Sequence, residues 1–148
     1  MMRFKSNIAI LLFIFRFDNS KKEVLLQKRI SSYANNMWDA SCSGHVEEGE
    51  SFSSAAIREA NEELGITIDK KNLKFKKIYQ NYKKAYVNVL FEIEKYKGKI
   101  EIKEKDKCKE LRWFDINKLP KGTISYVKEA VMNEDIIYDD LDIKLNNQ

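Results

Sequence analysis

The chain has 148 residues, 43% of them hydrophobic and 11% aromatic, which is enough for one domain with a sizeable core. A single proline, five glycines and no internal repeats leave no credible linker, so we predict one domain over residues 1–148, with 139–148 as a polar tail that can fray. The formal charge of +4 favours anionic ligands without demanding nucleic acid, and no nucleic-acid partner is expected.

The first apolar stretch and the cysteines bear on where the protein resides. The stretch NIAILLFIF, which begins at Asn7, is too short to span a bilayer and is not followed by a small-residue cleavage site, so it predicts a buried strand and no membrane partner. Cys42 and Cys108 have neither metal-ligand spacing nor a disulfide pattern. This usage fits a reducing cytoplasm better than secretion.

The predicted elements follow the order β-β-β-α-β-β-β-α, which is typical of a mixed sheet with helices packed on it. Strands are predicted over residues 7–17, 23–29, 38–42, 73–80, 85–95 and 110–114. The first helix is predicted from Phe52 to Leu64, because Ser51 can accept an N-cap hydrogen bond and Gly65 can end the helix in the left-handed conformation. A second amphipathic helix is predicted over residues 124–132.

Three carboxylates lie on one face of the first predicted helix. Glu59, Glu62 and Glu63 fall within an arc of about 100° when the helix is wound at 3.6 residues per turn. Like charges at this spacing repel, and a divalent cation that prefers oxygen ligands, such as Mg²⁺ or Mn²⁺, would turn the repulsion into attraction. On these glutamates alone, a solvated acidic face with an ion pair between Arg58 and Glu62 is the more ordinary interpretation.

The segment around the helix reverses that balance. It fits the pattern GX5EX7REUXEEXGU and so resembles the Nudix hydrolases. Ala60 stands where that family prefers a larger aliphatic residue, although it still suits the buried face. The stretches VLLQKR and ELRWFDINKLP also resemble the family's second strand and its last strand leading into the final helix. The positions that match the signature are Gly44, Glu50, Arg58, Glu59, Glu62, Glu63, Gly65 and Ile66.

This resemblance implies a fold and an activity. The expected fold is a Nudix-type α/β/α sandwich with a mixed β-sheet. The expected reaction is hydrolysis of a nucleoside diphosphate linked to another moiety, with Mg²⁺ or Mn²⁺ as cofactor. The leading substrate is a nucleoside triphosphate, cleaved to a nucleoside monophosphate and pyrophosphate. The expected partner is therefore a small-molecule nucleotide or another diphosphate, and the resemblance leaves a homodimer open.

The resemblance also assigns the metal site. Glu62 and Glu63 are expected as the main metal ligands, with the carbonyl of Gly44 beside them. Glu59 is expected either as a further ligand or as the base that activates water, because family members differ on this point. Water attack on a polyphosphate places charge on oxygens that already repel a nucleophile, so ions that neutralise those oxygens would supply much of the catalysis.

Residues around the metal site receive supporting roles by the same resemblance. Arg58 should orient Glu59, and Glu50 should hold Arg58 from the loop before the helix. Glu110, just before the aromatic stretch LRWF, stands where some family members carry another metal-binding or basic carboxylate. Glu104 and Asp106 are rivals for that role in the same charged segment.

Residues that would bind the substrate are less sharply defined. Arg29 ends a predicted strand aimed at the same region and is a candidate phosphate ligand. A surface arginine with no ligand is an equally ordinary interpretation of this residue. His45 follows Gly44 and either faces the site or serves as a structural hydrogen-bonding group. Tyr33, Tyr82 and Tyr86 could stack on a base, and packing is the competing explanation for all three.

Two other functions remain open. The stretch WDASCSGHVEEGES also resembles isopentenyl-diphosphate isomerase, which shares the fold but moves a double bond. The catalytic cysteine of that enzyme aligns with Ser43, whereas Cys42 would point to the opposite face of a strand. The other possibility is a non-catalytic Nudix domain that senses a nucleotide, which the intact set of glutamates disfavours.

Overall fold

The computed structural model describes residues 1–140. A mixed sheet of eight strands forms its middle layer, with one α-helix on each face, so the predicted α/β/α sandwich is confirmed. The strands are β1 (Asn7–Asp18), β2 (Lys21–Arg29), β3 (Trp38–Asp39), β4 (Cys42–His45), β5 (Lys74–Asn81), β6 (Tyr86–Ile93), β7 (Cys108–Asp115) and β8 (Tyr138–Asp140). The helices are α1 (Phe52–Leu64) and α2 (Ser125–Met132), with a short 3₁₀ turn at Lys70–Asn72.

Strand β1 forms the centre of the sheet and is buried on both faces. Its even-numbered residues from Ile10 to Ile14 pack toward α1, and its odd-numbered residues from Leu11 to Phe15 pack toward α2. This continuous apolar run is what a strand covered on both sides requires. Full burial of each such side chain stabilises the fold by about 1.5–3 kcal/mol before conformational entropy is counted.

Pairing around β1 is both parallel and antiparallel. Strand β6 runs parallel to β1, and β2 and β4 run antiparallel to it along different halves. Strands β5 and β8 extend the sheet beyond β6, while β7 lies on the other edge of β2. The first half of β1 therefore lies between β4 and β6, and this half carries the candidate site.

The single strand predicted over residues 38–42 is wrong, because the chain forms two strands that pair with different partners. Strand β3 pairs with β2, whereas β4 pairs with β1. Ser41 bridges the change, since its hydroxyl donates to the carbonyl of Leu25 at 2.6 Å and accepts from the Ile14 amide at 2.9 Å. A buried side chain thus replaces the backbone partner at the point where β1 and β2 diverge.

Helix α1 has the bounds that its end signals predict. The Ser51 hydroxyl accepts a hydrogen bond from the Ser54 amide at 3.1 Å, as an N-cap residue does. Gly65 adopts φ of 73°, and its amide donates to the carbonyl of Asn61. The two caps fix both ends of the helix and hence the height of its carboxylates above the sheet.

The predicted tail is partly ordered. Asp139 and Asp140, the first two residues of that tail, belong to β8, which pairs in parallel with β5. The rest of the predicted tail, 141–148, lies outside the described residues. Over residues 1–140 no helix has the length and apolarity needed to cross a membrane.

Candidate active site

Arg58 is the centre of the candidate site on the α1 face of the sheet. It binds Glu50 through two nitrogens, with Nε 2.7 Å from Oε2 and Nη2 3.0 Å from Oε1. Nη1 also lies 2.8 Å from Oε1 of Glu59 and 3.2 Å from Oε2 of Glu62. Nη2 also donates to the carbonyl of His45 at 3.1 Å, and Nη1 lies 3.9 Å from Oε1 of Glu47. One guanidinium therefore joins the loop before α1, the end of β4 and two carboxylates of the helix.

The two-point contact between Arg58 and Glu50 favours the charged form of both side chains. The hydrogen bonds from Arg58 lower the pKa of Glu50 to about 2. The same bonds raise the pKa of Arg58 above its ordinary value. The planar guanidinium matches a carboxylate in this way, and an ammonium group does not. Glu50 thus holds Arg58 in the orientation that reaches Glu59, which is the arrangement that the family resemblance led us to expect.

Within residues 1–140, strand β4 pairs with a neighbouring strand along one edge only, and the site is built along its other, open edge. The paired edge joins β1, with Gly44 opposite Ile10. On the open edge the Ser43 amide donates to Oε2 of Glu63 at 3.0 Å, and the carbonyl of His45 accepts from Arg58. The helix therefore satisfies backbone groups that a bare strand edge would leave unpaired.

This register changes which carbonyl faces the site. In an antiparallel pair, alternate residues direct both backbone groups to the same side. Ser43 and His45 direct theirs to the open edge, so Gly44 between them directs its carbonyl to β1. The carbonyl predicted as a metal ligand, that of Gly44, points into the ladder, and the carbonyl of Ser43 faces the edge instead.

Gly44 has a different structural role. A Cβ atom built on Gly44 would lie 2.1 Å from both Cδ and Oε1 of Glu59. No side chain fits there without displacing the carboxylate. The glycine therefore allows α1 to bring Glu59 directly against β4.

The carboxylates of α1 are arranged so that they disfavour full ionisation. Burial, followed by the charge of Glu59, raises the pKa of Glu63 to about 8. Burial also raises the pKa of Glu59, with the charges of Glu62 and Glu104 adding to the effect. Carboxylates that are desolvated and mutually repulsive fit a divalent cation, because its charge would relieve both costs.

The side-chain oxygens of these carboxylates do not converge on a common point in this structure. Over residues 1–140 no group of three acidic, His or Cys side chains is already placed to hold an ion. Arg58 Nη1 lies between Glu59 and Glu62, and the Glu62 side chain is 49% exposed. An exposed carboxylate on a rigid helix reaches a ligand by rotation about its own side-chain bonds, without backbone movement.

Glu104 is the loop carboxylate beside these glutamates. The loop after β6 binds the end of α1, because the amides of residues 101 and 103 donate to the carbonyls of Leu64 and Glu63 at 3.0 and 2.9 Å. These carbonyls have no partner within the helix, so the loop serves as its cap. The loop places Glu104 in a small cleft with Glu63, where Lys107 Nζ lies 3.1 Å from Oε2 of Glu104.

Glu110 lies on the other face of the sheet. Its neighbours Leu111 and Trp113 pack toward α1, so strand alternation directs Glu110 and Arg112 toward α2. The carboxylate of Glu110 pairs with Arg112 there. A bulge opposite Lys28 and Arg29 separates this register from that of Cys108. The structure therefore brings Glu104, and not Glu110, to the glutamates of α1.

A large pocket lies on the α2 face, on the opposite side of β4 from the glutamates. We call it the tyrosine pocket; its volume is about 670 Å³. Ser43 and His45 line it, as do Arg29, Asp39 and Lys84. The tyrosines that line it are Tyr33, Tyr79, Tyr86 and Tyr126. Its residues come from separate parts of the sequence, so no local pattern predicts it. Of the three tyrosines predicted as candidates for base stacking, Tyr33 and Tyr86 line this pocket, and Tyr82 is not among its lining residues.

Arg29 and His45 are both engaged at this pocket. Arg29 Nη1 lies 2.7 Å from Oδ2 of Asp39, whose side chain is 1% exposed. His45 Nε2 lies 2.9 Å from the hydroxyl of Tyr86. The predicted phosphate ligand, Arg29, is therefore neutralised by a buried carboxylate, and the ring of His45 faces the tyrosine pocket while its carbonyl holds Arg58.

Comparison with known proteins identifies the family. The model of the NUDIX domain matches residues 6–133. The chain belongs to the Nudix domain family. The matched range includes α1, β4 and every residue of the Arg58 network.

Individual relatives support the same placement. A Nudix hydrolase of Listeria innocua, itself described as uncharacterized, is 43% identical over 63 residues, which are 41% of this chain and 37% of that protein. An isopentenyl-diphosphate Δ-isomerase of Aliivibrio fischeri is 35% identical over 63 residues, 41% of this chain and 35% of that enzyme. The chain spans about a third of the length of the curated relatives it matches.

A solved structure matches the Nudix fold over most of the chain. The MutT Nudix hydrolase of Burkholderia pseudomallei superposes with a TM-score of 0.76 at 21% identity. The superposition covers 86% of this chain and 96% of that one. At this identity the similarity shows the fold alone.

Proposed function

We propose that this Nudix protein is a metal-dependent hydrolase that cleaves a phosphoanhydride bond in a nucleoside diphosphate linked to another moiety. The observation that carries the proposal is the pairing of Arg58 with Glu50 and Glu59 directly beside the half-buried Glu63. A solvated acidic face would leave such carboxylates in water. Here they are desolvated and held in place, which is an arrangement suited to a cation and an anionic substrate.

The residues that would hold the ion are Glu59, Glu62 and Glu63, together with the carbonyl of Ser43 at the open edge of β4. Mg²⁺ or Mn²⁺ bound there would neutralise charge that develops on phosphate oxygens. The protein's own contribution is placement. The capped helix fixes the carboxylates, and Arg58 sets the direction of Glu59.

Two carboxylates are candidates for the base that accepts a proton from water. Glu59 has its pKa raised by burial and lies against Gly44, which favours a role close to the reacting atoms. Glu104 shares a cleft with Glu63 and is held by Lys107. We assign Glu104, in place of Glu110, as the loop carboxylate of the site, because strand alternation turns Glu110 away from it.

A nucleoside triphosphate, cleaved to a nucleoside monophosphate and pyrophosphate, is the proposed substrate. The tyrosine pocket supports a nucleotide, since it is large enough for a nucleoside and is lined by aromatic rings and polar groups.

Two free thiols, one of them buried, agree with a reducing cytoplasmic location.

Isomerisation is the second candidate, because one curated relative is an isopentenyl-diphosphate isomerase. The side chain of Cys42 is fully buried, and burial raises its pKa well above the ordinary value. Such a thiol is a poor proton donor or nucleophile at neutral pH. Ser43, at the position of the isomerase cysteine, supplies only a hydroxyl to the tyrosine pocket. Hydrolysis therefore fits this site better.

The deciding experiment is to identify the products formed from a substrate panel. Purified protein with Mg²⁺ or Mn²⁺ is offered nucleoside triphosphates, oxidised nucleotides, nucleotide sugars, dinucleoside polyphosphates and isopentenyl diphosphate, and the products are separated by chromatography. We expect a nucleoside monophosphate, accompanied by pyrophosphate when the substrate is a triphosphate. Double-bond migration without phosphate release would establish the isomerase, and tight binding without any product would establish a sensor.

A matched pair of variants ties the activity to this site. Glu63→Gln should remove most of the metal-dependent turnover, since it deletes a proposed ligand without changing shape. Glu48→Gln, in the exposed loop before α1, makes the same chemical change away from the network and should leave turnover unchanged. Equal activity in both variants would contradict the assigned site.

A further inference from the structure

The tyrosine pocket carries positive charge that the cleaved diphosphate does not explain. We infer that the preferred substrate is a nucleotide bearing a second anionic group, such as a phosphate on its ribose, and that Lys84 binds that group. This inference rests on the proposed function for the identity of the site. It narrows the substrate class to nucleotides that carry a second anionic group in addition to the diphosphate that is cleaved.

The pocket and the carboxylates occupy opposite faces of the sheet. Glu59 contacts the α1 side of Gly44, whereas Leu11 and Tyr79 place the pocket floor on the α2 side. A diphosphate held at the glutamates would be neutralised there by metal ions and by the open edge of β4. Cations on the far face are therefore available to a different part of the ligand.

Lys84 is the cation that the pocket presents for this purpose. Lys83 also lines the pocket, and a further cation of the lining, Arg29, already binds the buried Asp39 at 2.7 Å. The Nζ atom of Lys84 lies 5.4 Å from the centre of the Tyr33 ring, so the β5–β6 turn and the β2–β3 loop meet across the pocket. The amide of Lys84 donates to Oδ1 of Asn81 at 3.1 Å, which fixes the turn that carries the ammonium.

The aromatic lining indicates what accompanies the anion. Tyr79 and Tyr126 are stacked with ring centres 5.2 Å apart, and Tyr33 faces Lys84. Aromatic rings of this kind bind a nucleobase through its flat face. An aromatic wall and a cation in one pocket match a base and a phosphate carried by the same nucleoside.

Binding of reaction products tests this inference without turnover. Calorimetry would compare adenosine 5′-monophosphate with adenosine 2′,5′- and 3′,5′-bisphosphates, and repeat the comparison with the guanosine series. The wild-type protein should bind at least one bisphosphate about tenfold more tightly than its monophosphate, as expected for one charge-assisted contact. Lys84→Met should reduce that preference to about twofold or less.

Two further variants separate the role of Lys84 from general charge effects. Lys128→Met removes an exposed lysine of α2 and should leave the preference intact. Tyr33→Leu should weaken monophosphate and bisphosphate alike if its ring belongs to the aromatic wall. Equal wild-type affinity for both ligands, or no measurable binding of either, overturns the inference. Equal weakening of both ligands by Lys84→Met also overturns it, because the lysine would then bind the shared phosphate.

The two proposals fail in different ways. A preference for bisphosphates without any hydrolysis would leave the inferred ligand standing and reject the hydrolase. Hydrolysis without that preference would keep the hydrolase and reject the role of Lys84.

Discussion

Gly44 and Glu59 are in such close contact that the α-carbon hydrogen of the glycine faces the carboxylate directly. A Cβ at position 44 would lie 2.1 Å from Cδ of Glu59. Strand β4 and helix α1 thus meet at this point without a side chain between them. This contact sets the depth at which α1 presents its carboxylates.

Gly44→Ala should displace Glu59 and lower kcat by about 10²-fold, in the range seen when a catalytic group is moved by roughly 1 Å. Turnover with saturating substrate and metal would measure the loss, and circular dichroism would verify folding. Gly49→Ala, in the following loop, is the control, because its added methyl meets no atom within 4 Å although its φ of 78° is strained. If both variants lose activity equally, the loss is not specific to the contact between Gly44 and Glu59.

Glu59→Gln distinguishes a base from a ligand. Loss of a general base should lower kcat by about 10²- to 10⁴-fold at every metal concentration. Loss of a ligand should weaken metal affinity instead, so that activity returns at high Mg²⁺. A metal titration of the initial rate therefore assigns the residue to one role, and wild-type behaviour throughout would exclude it from both.

Among the loop carboxylates, Glu104→Gln should be the most damaging. We expect a loss of about tenfold or more in kcat/KM, because Glu104 is the carboxylate placed beside Glu63 and adds to its unfavourable charge. Glu110→Gln should stay within about threefold, since its carboxylate faces α2 and pairs with Arg112. Asp106→Asn is the control within the same loop. A larger loss for Glu110 than for Glu104 would contradict the register of β7.

The metal-free protein should lose stability as pH rises. The pKa of Glu63 is about 8 in the folded protein against an ordinary 4.5, so the folded state holds this proton more tightly than the unfolded state does. The free energy of unfolding therefore falls between about pH 4.5 and 8 and levels off above that range. In EDTA, Glu63→Gln should raise Tm at pH 8 by roughly 5 °C and change it little at pH 4.5.

Added Mg²⁺ completes that experiment. An ion that binds the ionised carboxylates should restore the Tm of the wild-type protein at pH 8 and should stabilise Glu63→Gln much less. Equal stabilisation of the two proteins would place the ion elsewhere.

Cys42→Ser tests the competing chemistry. Hydrolysis should remain within about threefold of wild type, because the proposed reaction uses water and carboxylates and no thiolate. The thiol is fully buried, so a thermal melt must accompany the assay to detect any loss of stability. A folded but inactive variant would favour a route in which the thiol takes part.

Local sequence determined helix α1 and the residues that face its partner strand. Ser51 and Gly65 mark the helix ends through hydrogen bonds made within four residues, and helical periodicity alone gathers Glu59, Glu62 and Glu63 on one side. The pairing of Arg58 with Glu50 and Glu59 also followed from the family signature. Such features depend on interactions between residues that are close in the sequence, so they can be predicted from a single sequence.

Tertiary structure decided the features that depend on pairing between distant segments. The division of residues 38–42 between β3 and β4, and the direction of the Ser43 and Gly44 carbonyls, depend on which strand each residue meets. The choice of Glu104 over Glu110 depends on a bulge in β7 and on a loop that caps the last carbonyls of α1. The tyrosine pocket likewise forms only in the folded protein, because the residues that line it come from strands, loops and α2 that are distant in sequence.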